Sequence, residues 1–177
     1  MEFAITLPLL VVFVVGIYDF SGAFNQKQKI AQAAQEGAII AGAQPMNDIA
    51  SSNANPDSLK LVVTAVFNSL TGSGVIVTGM CTPPGTITAP TGASLSWTYT
   101  ISPCSGAGDS LVITINRGWV PPPSGVAIVP VAVRSNVQVS YPYHWRFGSA
   151  IQLLFSGPNS YLTPTQITES ATVHNQT

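Results

Sequence analysis

Residues 2–43 read EFAITLPLLVVFVVGIYDFSGAFNQKQKIAQAAQEGAIIAGA, and this stretch decides the fold. Glu2 is followed by sixteen uncharged residues, Phe3 to Tyr18, and Asp19 is followed by an Ala- and Gln-rich pattern. At about 1.5 Å per residue the stretch predicts one helix of about 60 Å. Pro8 should bend or loosen its first turns, because proline removes a backbone hydrogen bond, and Pro45 should end it.

The apolar run is of marginal length for a membrane span. Residues 3–18 would cover about 24 Å, against a hydrocarbon core of about 30 Å. Extension to Phe24 reaches about 20 residues but admits Asp19. A secretory signal peptide is not indicated, because a basic segment before the apolar run and a small-residue cleavage site after it are both missing. Small residues such as Gly16 and Gly22 favour close approach to other helices.

The composition restricts the function class. The chain of 177 residues has room for one domain and an appendage, and only 7% of its residues are charged. Its formal net charge of −1 provides no basic field for nucleic acid, so no nucleic-acid partner is predicted. Such low charge is typical of extracellular, assembly-forming and membrane-linked proteins rather than cytoplasmic enzymes.

Cys81 and Cys104 lie in a Pro-, Gly- and Thr-rich region. For an exported chain the natural interpretation is one disulfide between them, which would stabilise the fold by roughly 3 kcal/mol. The alternative is two unrelated free thiols. A metal site is not predicted, because neither cysteine has a nearby His or Cys to complete four ligands.

A second helix and several strands are predicted after Pro45. Apolar residues recur at helical spacing from Leu59 to Leu70, with Asn55 as a candidate cap, Pro56 at the first position and Gly72 at the end. Alternating patterns then predict strands of an antiparallel sheet over residues 95–101, 111–115, 131–141 and 167–173, with one face of the sheet exposed to solvent. The predicted fold class is α+β: a long N-terminal hydrophobic helix (residues 1–44), then a small head (residues 45–177) with a second helix and an antiparallel sheet.

Four motifs give the chain a family resemblance. They are Glu2-Phe3-Ala4, Leu7-Pro8-Leu9, Gly16-Ile17-Tyr18-Asp19-Phe20 and Ala33-Ala34-Gln35-Glu36-Gly37-Ala38. Together they resemble the N-terminal signature of TadE-like proteins of tight-adherence pilus systems, which are relatives of type IV pilins. The resemblance covers about 43 residues.

The resemblance implies a structural subunit, a pilin, of an extracellular filament used in cell adhesion. Its partners would be copies of itself in a helical polymer, the inner membrane before assembly, a prepilin peptidase that removes a short basic leader, and the pilus assembly machinery. It would lie in the inner membrane first and then on the cell surface. The alternatives are a minor pseudopilin or assembly component, and a membrane-anchored periplasmic binding module or enzyme.

Five residues are candidates for assembly and register: Glu2, Phe3, Pro8, Gly16 and Asp19. A carboxylate left in hydrocarbon costs about 2.5–3.5 kcal/mol, so Glu2 should find a partner, which in a pilin-like assembly is the free amine of a neighbouring subunit. The alternative is an acid at the lipid headgroup level. Asp19 could mark the membrane boundary or pair with a lysine of another subunit, although a solvated helix face is the favoured interpretation. Glu36 and Gly37 are expected to pack where the helix meets the head.

No catalytic constellation is predicted, and no cofactor. His144 and His174 belong to no Ser-His-Asp or metal-ligand spacing, and His144 is expected to be a loop or strand-end residue. The Gly-rich stretches lack the lysine of a phosphate-binding loop. We therefore predict that the chain is not an enzyme.

Overall fold

A computed structural model of the protein describes residues 2–50, 52–91, 94–119, 133–147 and 164–176. It confirms the predicted α+β fold. The elements are two helices, α1 (Glu2–Ala43) and α2 (Asp57–Gly72), and five strands, β1 (Thr86–Thr88), β2 (Ser96–Ile101), β3 (Leu111–Trp119), β4 (Arg134–Tyr143) and β5 (Thr165–His174). Helix α1 is continuous across Pro8, so the expected loosening of its first turns does not interrupt it.

The five strands form one antiparallel sheet in the order β1-β2-β3-β4-β5. Alternation along β2 and β4 places one set of side chains in the core and the other set outside, as the period-two pattern predicts. β4 begins at Arg134 rather than at Val131, which lies outside the described residues, and Val133 is exposed. The short β1 was not predicted.

The second half of α1 belongs to the core of the head. Its small and apolar residues Ile30, Ala33, Ala34, Ala38 and Ala41 are fully buried. They join one cluster with α2 and with the buried face of the sheet. The core of the head thus draws on residues from both sides of residue 44.

Gly37 is the point of closest approach between α1 and the head. A β-carbon at this position would lie 2.5 Å from a methyl carbon of Val66 on α2 and 3.2 Å from a methyl carbon of Val137 on β4. The first distance would force Val66 to move and the second is tighter than most carbon contacts, so glycine lets α1 pack closely against α2 and the sheet together. The packing expected at the helix–head junction is therefore present at Gly37.

The start of α2 is held by a residue that the sequence did not indicate. The cap position is Pro56, and no side chain caps from there. Instead, the Asp48 carboxylate accepts hydrogen bonds from the backbone N–H of Ser58 at 2.9 Å and from its hydroxyl at 2.8 Å. The predicted cap by Asn55 was wrong, because the loop returns Asp48 to the helix start and satisfies the free N–H there.

The end of α1 is held by a buried arginine. Arg117 on β3 is fully buried, and its guanidinium donates to the carbonyl of Ala41 and, at 2.8 Å, to the carbonyl of Gln44. The last carbonyls of a helix have no partner within it and carry partial negative charge, which a cation stabilises. Burial lowers the Arg117 pKa, and the nearby charge of Asp48 opposes that shift.

A disulfide joins Cys81 and Cys104. Both cysteines belong to the core cluster, and the Tyr141 hydroxyl donates to the Cys104 carbonyl at 3.3 Å. The bridge therefore ties the segment before β1 to the segment between β2 and β3.

Candidate membrane and assembly site

The first half of α1 projects from the head with large apolar side chains uncovered. We call residues 3–17 the stem. Phe3 is 84% exposed and Ile17 is 70% exposed, and six further large apolar side chains of the stem are exposed: Leu7, Leu9, Leu10, Val11, Phe13 and Val14. Val12 and Val15 are half-buried. Since a soluble chain rarely leaves so large a contiguous apolar surface in water, the stem requires an apolar environment or a partner.

Within the described residues, α1 is also the one helix that meets the requirements of a membrane span. By length and composition alone, Leu9–Ala43 is long and apolar enough, with a mean hydropathy of 1.4. Only 6% of its most apolar window is buried within the chain. A core helix of a globular protein with this hydropathy would be mostly buried, so the described part of the chain leaves the stem largely uncovered.

One face of the stem forms a shallow apolar groove. Its lining includes Phe13, Gly16, Ile17, Phe20 and Phe24, which follow one another at helical spacing. A β-carbon added at Gly16 would have no neighbour within 4 Å. Gly16 therefore packs against no other part of the described structure and leaves room for close approach by another helix.

Asp19, at the end of the stem, is not solvated. It is 3% exposed, and its two carboxylate oxygens accept hydrogen bonds of 3.2 Å from the backbone N–H groups of Arg146 and Phe147. The favoured interpretation of a solvated helix face was wrong, because the chain just after β4 folds back over this turn of α1.

Aromatic side chains surround the same turn. Tyr18 packs edge-on against Phe147 with ring centroids 5.8 Å apart, and Phe20 packs in the same way against Trp145 at 5.9 Å. Tyr143 packs edge-on against Trp145 at 5.3 Å. We call residues 18–24 and 143–147 together the collar, since they enclose the helix where it leaves the head.

Tyr143 is the residue that fixes the collar to α1. Its hydroxyl donates to the Asp19 carbonyl at 3.1 Å. A β-carbon at Gly22 would lie 2.6 Å from the same hydroxyl oxygen, so glycine is required for this contact. Burial, followed by the charge of Asp19, raises the Tyr143 pKa, which keeps the hydroxyl protonated and able to donate.

Two depressions flank the collar. A polar cleft of about 500 Å³ lies on one side, with Tyr18, Asn25, Lys29, Tyr143 and Arg146 in its lining. The Lys29 amine also donates to the Ser73 carbonyl at 2.8 Å. A smaller apolar hollow of about 220 Å³ lies on the other side, between Phe20, Phe24 and Trp145. The sequence did not indicate either feature.

The remaining candidate residues lie along the stem. Glu2 is the first residue of α1, Phe3 is exposed, and Pro8 lies within the continuous helix. The side chains of Glu2 and Pro8 lie outside the described structure. Among the residues whose side chains are described, Phe3 is 84% exposed and a β-carbon at Gly16 would have no neighbour within 4 Å, whereas Asp19 is buried against the segment after β4.

His144 lies just after β4 and is paired. Its Nε2 is 2.9 and 2.8 Å from the two carboxylate oxygens of Asp109, and the Ser105 hydroxyl donates to the same carboxylate at 2.7 Å. Because serine contacts the carboxylate and not the imidazole, the order needed to activate a serine nucleophile is missing from this cluster. Among the described residues no group of three or more His, Cys, Asp or Glu could hold a metal ion.

Comparison with known proteins gives one finding. The model of the TadE-like protein family matches residues 1–38, which comprise the stem, the first part of the collar and part of the buried half of α1. The resemblance stated from the sequence is thus confirmed for residues 1–38, which are similar to TadE-like proteins. No curated protein and no solved structure matches the chain.

Proposed function

We propose that this chain, with its TadE-like N-terminal segment, is a pilin-like structural subunit that a membrane holds by its stem before assembly. In the filament the stem packs against stems of other copies, and the heads form the outer surface. The observation that carries the proposal is the uncovered stem: its large apolar side chains project from a folded head that does not use them.

The shape of the subunit favours a polymer rather than a closed oligomer. Stems that pack side by side with an axial offset make a contact between two different surfaces of the same chain. Such a contact repeats without closing on itself and generates a helical filament. Because the contact is apolar, the assembled state should respond little to salt.

Glu2 is proposed to set the register of this packing. A carboxylate at the start of an apolar helix is most stable next to a cation, and the free amine at a neighbouring subunit's N-terminus would provide one. A misregistered stem would leave both charges unpaired, so the pair would select one axial offset. Processing by a prepilin peptidase and transfer through the pilus machinery belong to the same proposal.

Gly16→Leu tests whether the stem acts by packing against copies. A β-carbon at Gly16 would have no neighbour within 4 Å in the described part of the subunit, so the head should fold as in the wild type. It should, however, block close approach between stems and sharply reduce the yield of filaments sheared from cells. The control is Leu61→Ala, at an exposed position on α2, which should assemble normally. A leucine at Ala31 would not serve as a control, because Ala31 is partly buried.

Normal filament yield from both Gly16→Leu and Glu2→Ala would contradict the proposed role of the stem. Electron microscopy with an antibody against the head then separates the two forms of the proposal. Labelling along whole filaments indicates a major subunit. Labelling at tips alone, or protein confined to the membrane, indicates a minor pseudopilin or assembly component.

A further inference from the structure

The collar accounts for the short apolar run of the stem. Residues 3–18 alone span about 24 Å, less than the hydrocarbon core of about 30 Å, and Asp19 would normally mark the end of the span. In the structure the Asp19 carboxylate is buried and bonded to two backbone N–H groups. These hydrogen bonds offset part of the cost of removing the carboxylate from water, so we count the apolar segment as far as Phe24, about 32 Å from Phe3.

The residues of the collar are those that favour a membrane–water boundary. Its aromatic rings come from α1 and from the segment after β4, with Phe20 and Phe24 more than 60% exposed. Trp145 is partly exposed, and its indole N–H is already bonded to the Thr165 hydroxyl at 3.0 Å. Tryptophan and tyrosine concentrate where hydrocarbon meets the headgroups.

Cations lie close to these rings: Lys27 and Lys29 follow Phe24 along α1, and Arg146 lines the polar cleft with Tyr18. Lys27, Lys29 and Arg146 are half of the six lysines and arginines in the chain. The described carboxylates in this region are Asp19, which is buried, Glu169, which lies 3.4 Å from the Lys27 amine, and Asp109, which lies 2.8 Å from the His144 imidazole. Side chains on a helix tilt toward its N-terminus, so both lysines of α1 lean toward the stem. Arg146 is exposed and makes no salt bridge within the described part of the chain.

We propose that the collar is a lipid-binding surface of the head. Its aromatic rings lie at the boundary between acyl chains and headgroups, and the polar cleft between Lys29 and Arg146 receives the phosphate of an anionic phospholipid. Charge complementarity and continuity with the stem favour a lipid over a second copy as the occupant. The head is thereby held at a fixed depth and orientation before assembly. This inference rests on the proposed membrane anchoring.

The fluorescence of Trp145 reports how deep the collar lies in the membrane. The full-length protein is reconstituted into phosphatidylcholine vesicles with and without about one-third phosphatidylglycerol, with lipids brominated either near the headgroup or near the bilayer centre. The difference in quenching between the wild type and Trp145→Phe reports on Trp145 alone. We expect strong quenching of this component by shallow bromines, weak quenching by deep ones, and stronger shallow quenching in the anionic vesicles.

Variants then test the cleft. In Arg146→Gln, alone and together with Lys29→Gln, the shallow quenching of Trp145 should no longer be stronger in anionic vesicles and should equal the value in neutral lipid. Arg146→Gln keeps the backbone N–H that binds Asp19, so it leaves the collar intact. The control Lys60→Gln removes an exposed cation on α2 that pairs with Asp57 and should behave as the wild type.

Three results would overturn the inference. Equal quenching in the wild type and Trp145→Phe, in protein that floats with the vesicles, would place the collar away from the lipid while leaving membrane anchoring intact. Protection of Lys29 and Arg146 from amine- and guanidine-reactive reagents in filaments but not in vesicles would assign the cleft to a second copy. Failure of the wild type to float would refute the proposed anchoring itself.

Discussion

The two halves of α1 use the same secondary structure in opposite ways. In the stem the large side chains, such as Phe13 and Ile17, are exposed, whereas in the second half the fully buried positions are mostly alanines, such as Ala34 and Ala38. In most soluble domains the large apolar residues are inside. Here alanine and glycine let the helix lie close to α2 and the sheet, and the large residues remain available for surroundings outside the chain.

The collar is the boundary between these two halves. On its N-terminal side no described residue of the helix belongs to the core cluster, and on its C-terminal side the helix is part of that core. Since Asp19 contacts the segment after β4 and Gly22 contacts Tyr143 at the end of β4, the boundary is made by the fold of the head and not by the helix alone. The following four predictions test the comparison, in order of decreasing effect.

Gly37→Leu should have the largest effect on the head. Its side chain would overlap Val66 and Val137, and overpacking of this kind costs about 2–3 kcal/mol. Gly16→Leu adds the same atoms to the stem, where no neighbour is present, and should change the unfolding free energy by less than about 0.5 kcal/mol. Denaturant unfolding in detergent, monitored by tryptophan fluorescence, compares the two. Equal effects would remove the distinction between the halves.

Arg117→Met should destabilise the buried half by about 2 kcal/mol, because the carbonyls of Ala41 and Gln44 lose a charged donor inside the core. The control is Lys60→Met, which removes an exposed cation from α2. Hydrogen exchange should show faster opening of the last turn of α1 in Arg117→Met and no change in the collar. An unchanged unfolding midpoint would mean that the guanidinium does not anchor the helix end.

Asp19→Asn should loosen the collar at a cost of about 1 kcal/mol, since a neutral amide replaces a carboxylate that accepts two backbone hydrogen bonds. The amides of Arg146 and Phe147 should exchange faster, while those of β3 should not change. Asp57→Asn, at a 90% exposed side chain, is the control. Unchanged exchange at both collar amides would contradict the role assigned to Asp19.

Asp48 gives the smallest effect, and one that depends on pH. Burial opposes ionisation, but the Ser58 hydrogen bonds and the charge of Arg117 lower its pKa overall from the ordinary 3.8. The contribution of Asp48 to stability is therefore complete above about pH 4 and is lost as the pH falls through the lowered value. Asp48→Asn should lower the unfolding free energy by about 0.5–1 kcal/mol at neutral pH. It should also reduce the loss of stability as the pH falls. If the variant lost stability with falling pH as the wild type does, Asp48 would be ruled out as the source of that loss.

Much of the fold was predictable because its signals are local. The helix from Glu2 to Ala43, the second helix up to Gly72 and the period of the strands follow from residues close together in the chain. The cap on α2 was not predictable, since Asp48 precedes Ser58 by ten residues and reaches it only through the shape of a loop. The pattern 111–113–115 would have placed Arg117 on the buried face, but nothing local identifies its partner at the end of α1.

The same distinction between local signals and contacts with distant residues applies to the candidate site. The uncovered stem was predictable from its composition, because a run of large apolar residues has no polar face to present to water. The burial of Asp19 depends on residues more than 120 positions later in the chain, and so do the aromatic contacts of the collar. The sequence favoured a solvated Asp19 because an isolated acid next to a polar helix usually faces water.

Single cysteines at Phe13, Ile17 and Leu61 provide the most direct test of the central claim that the stem packs against copies of itself. All three positions are exposed in the subunit, and the native cysteines are joined in the disulfide. In sheared filaments we predict that Phe13→Cys and Ile17→Cys resist a membrane-impermeant maleimide and form oxidative dimers, while Leu61→Cys is labelled. Free labelling of all three positions, with no dimers through the stem, would contradict the account.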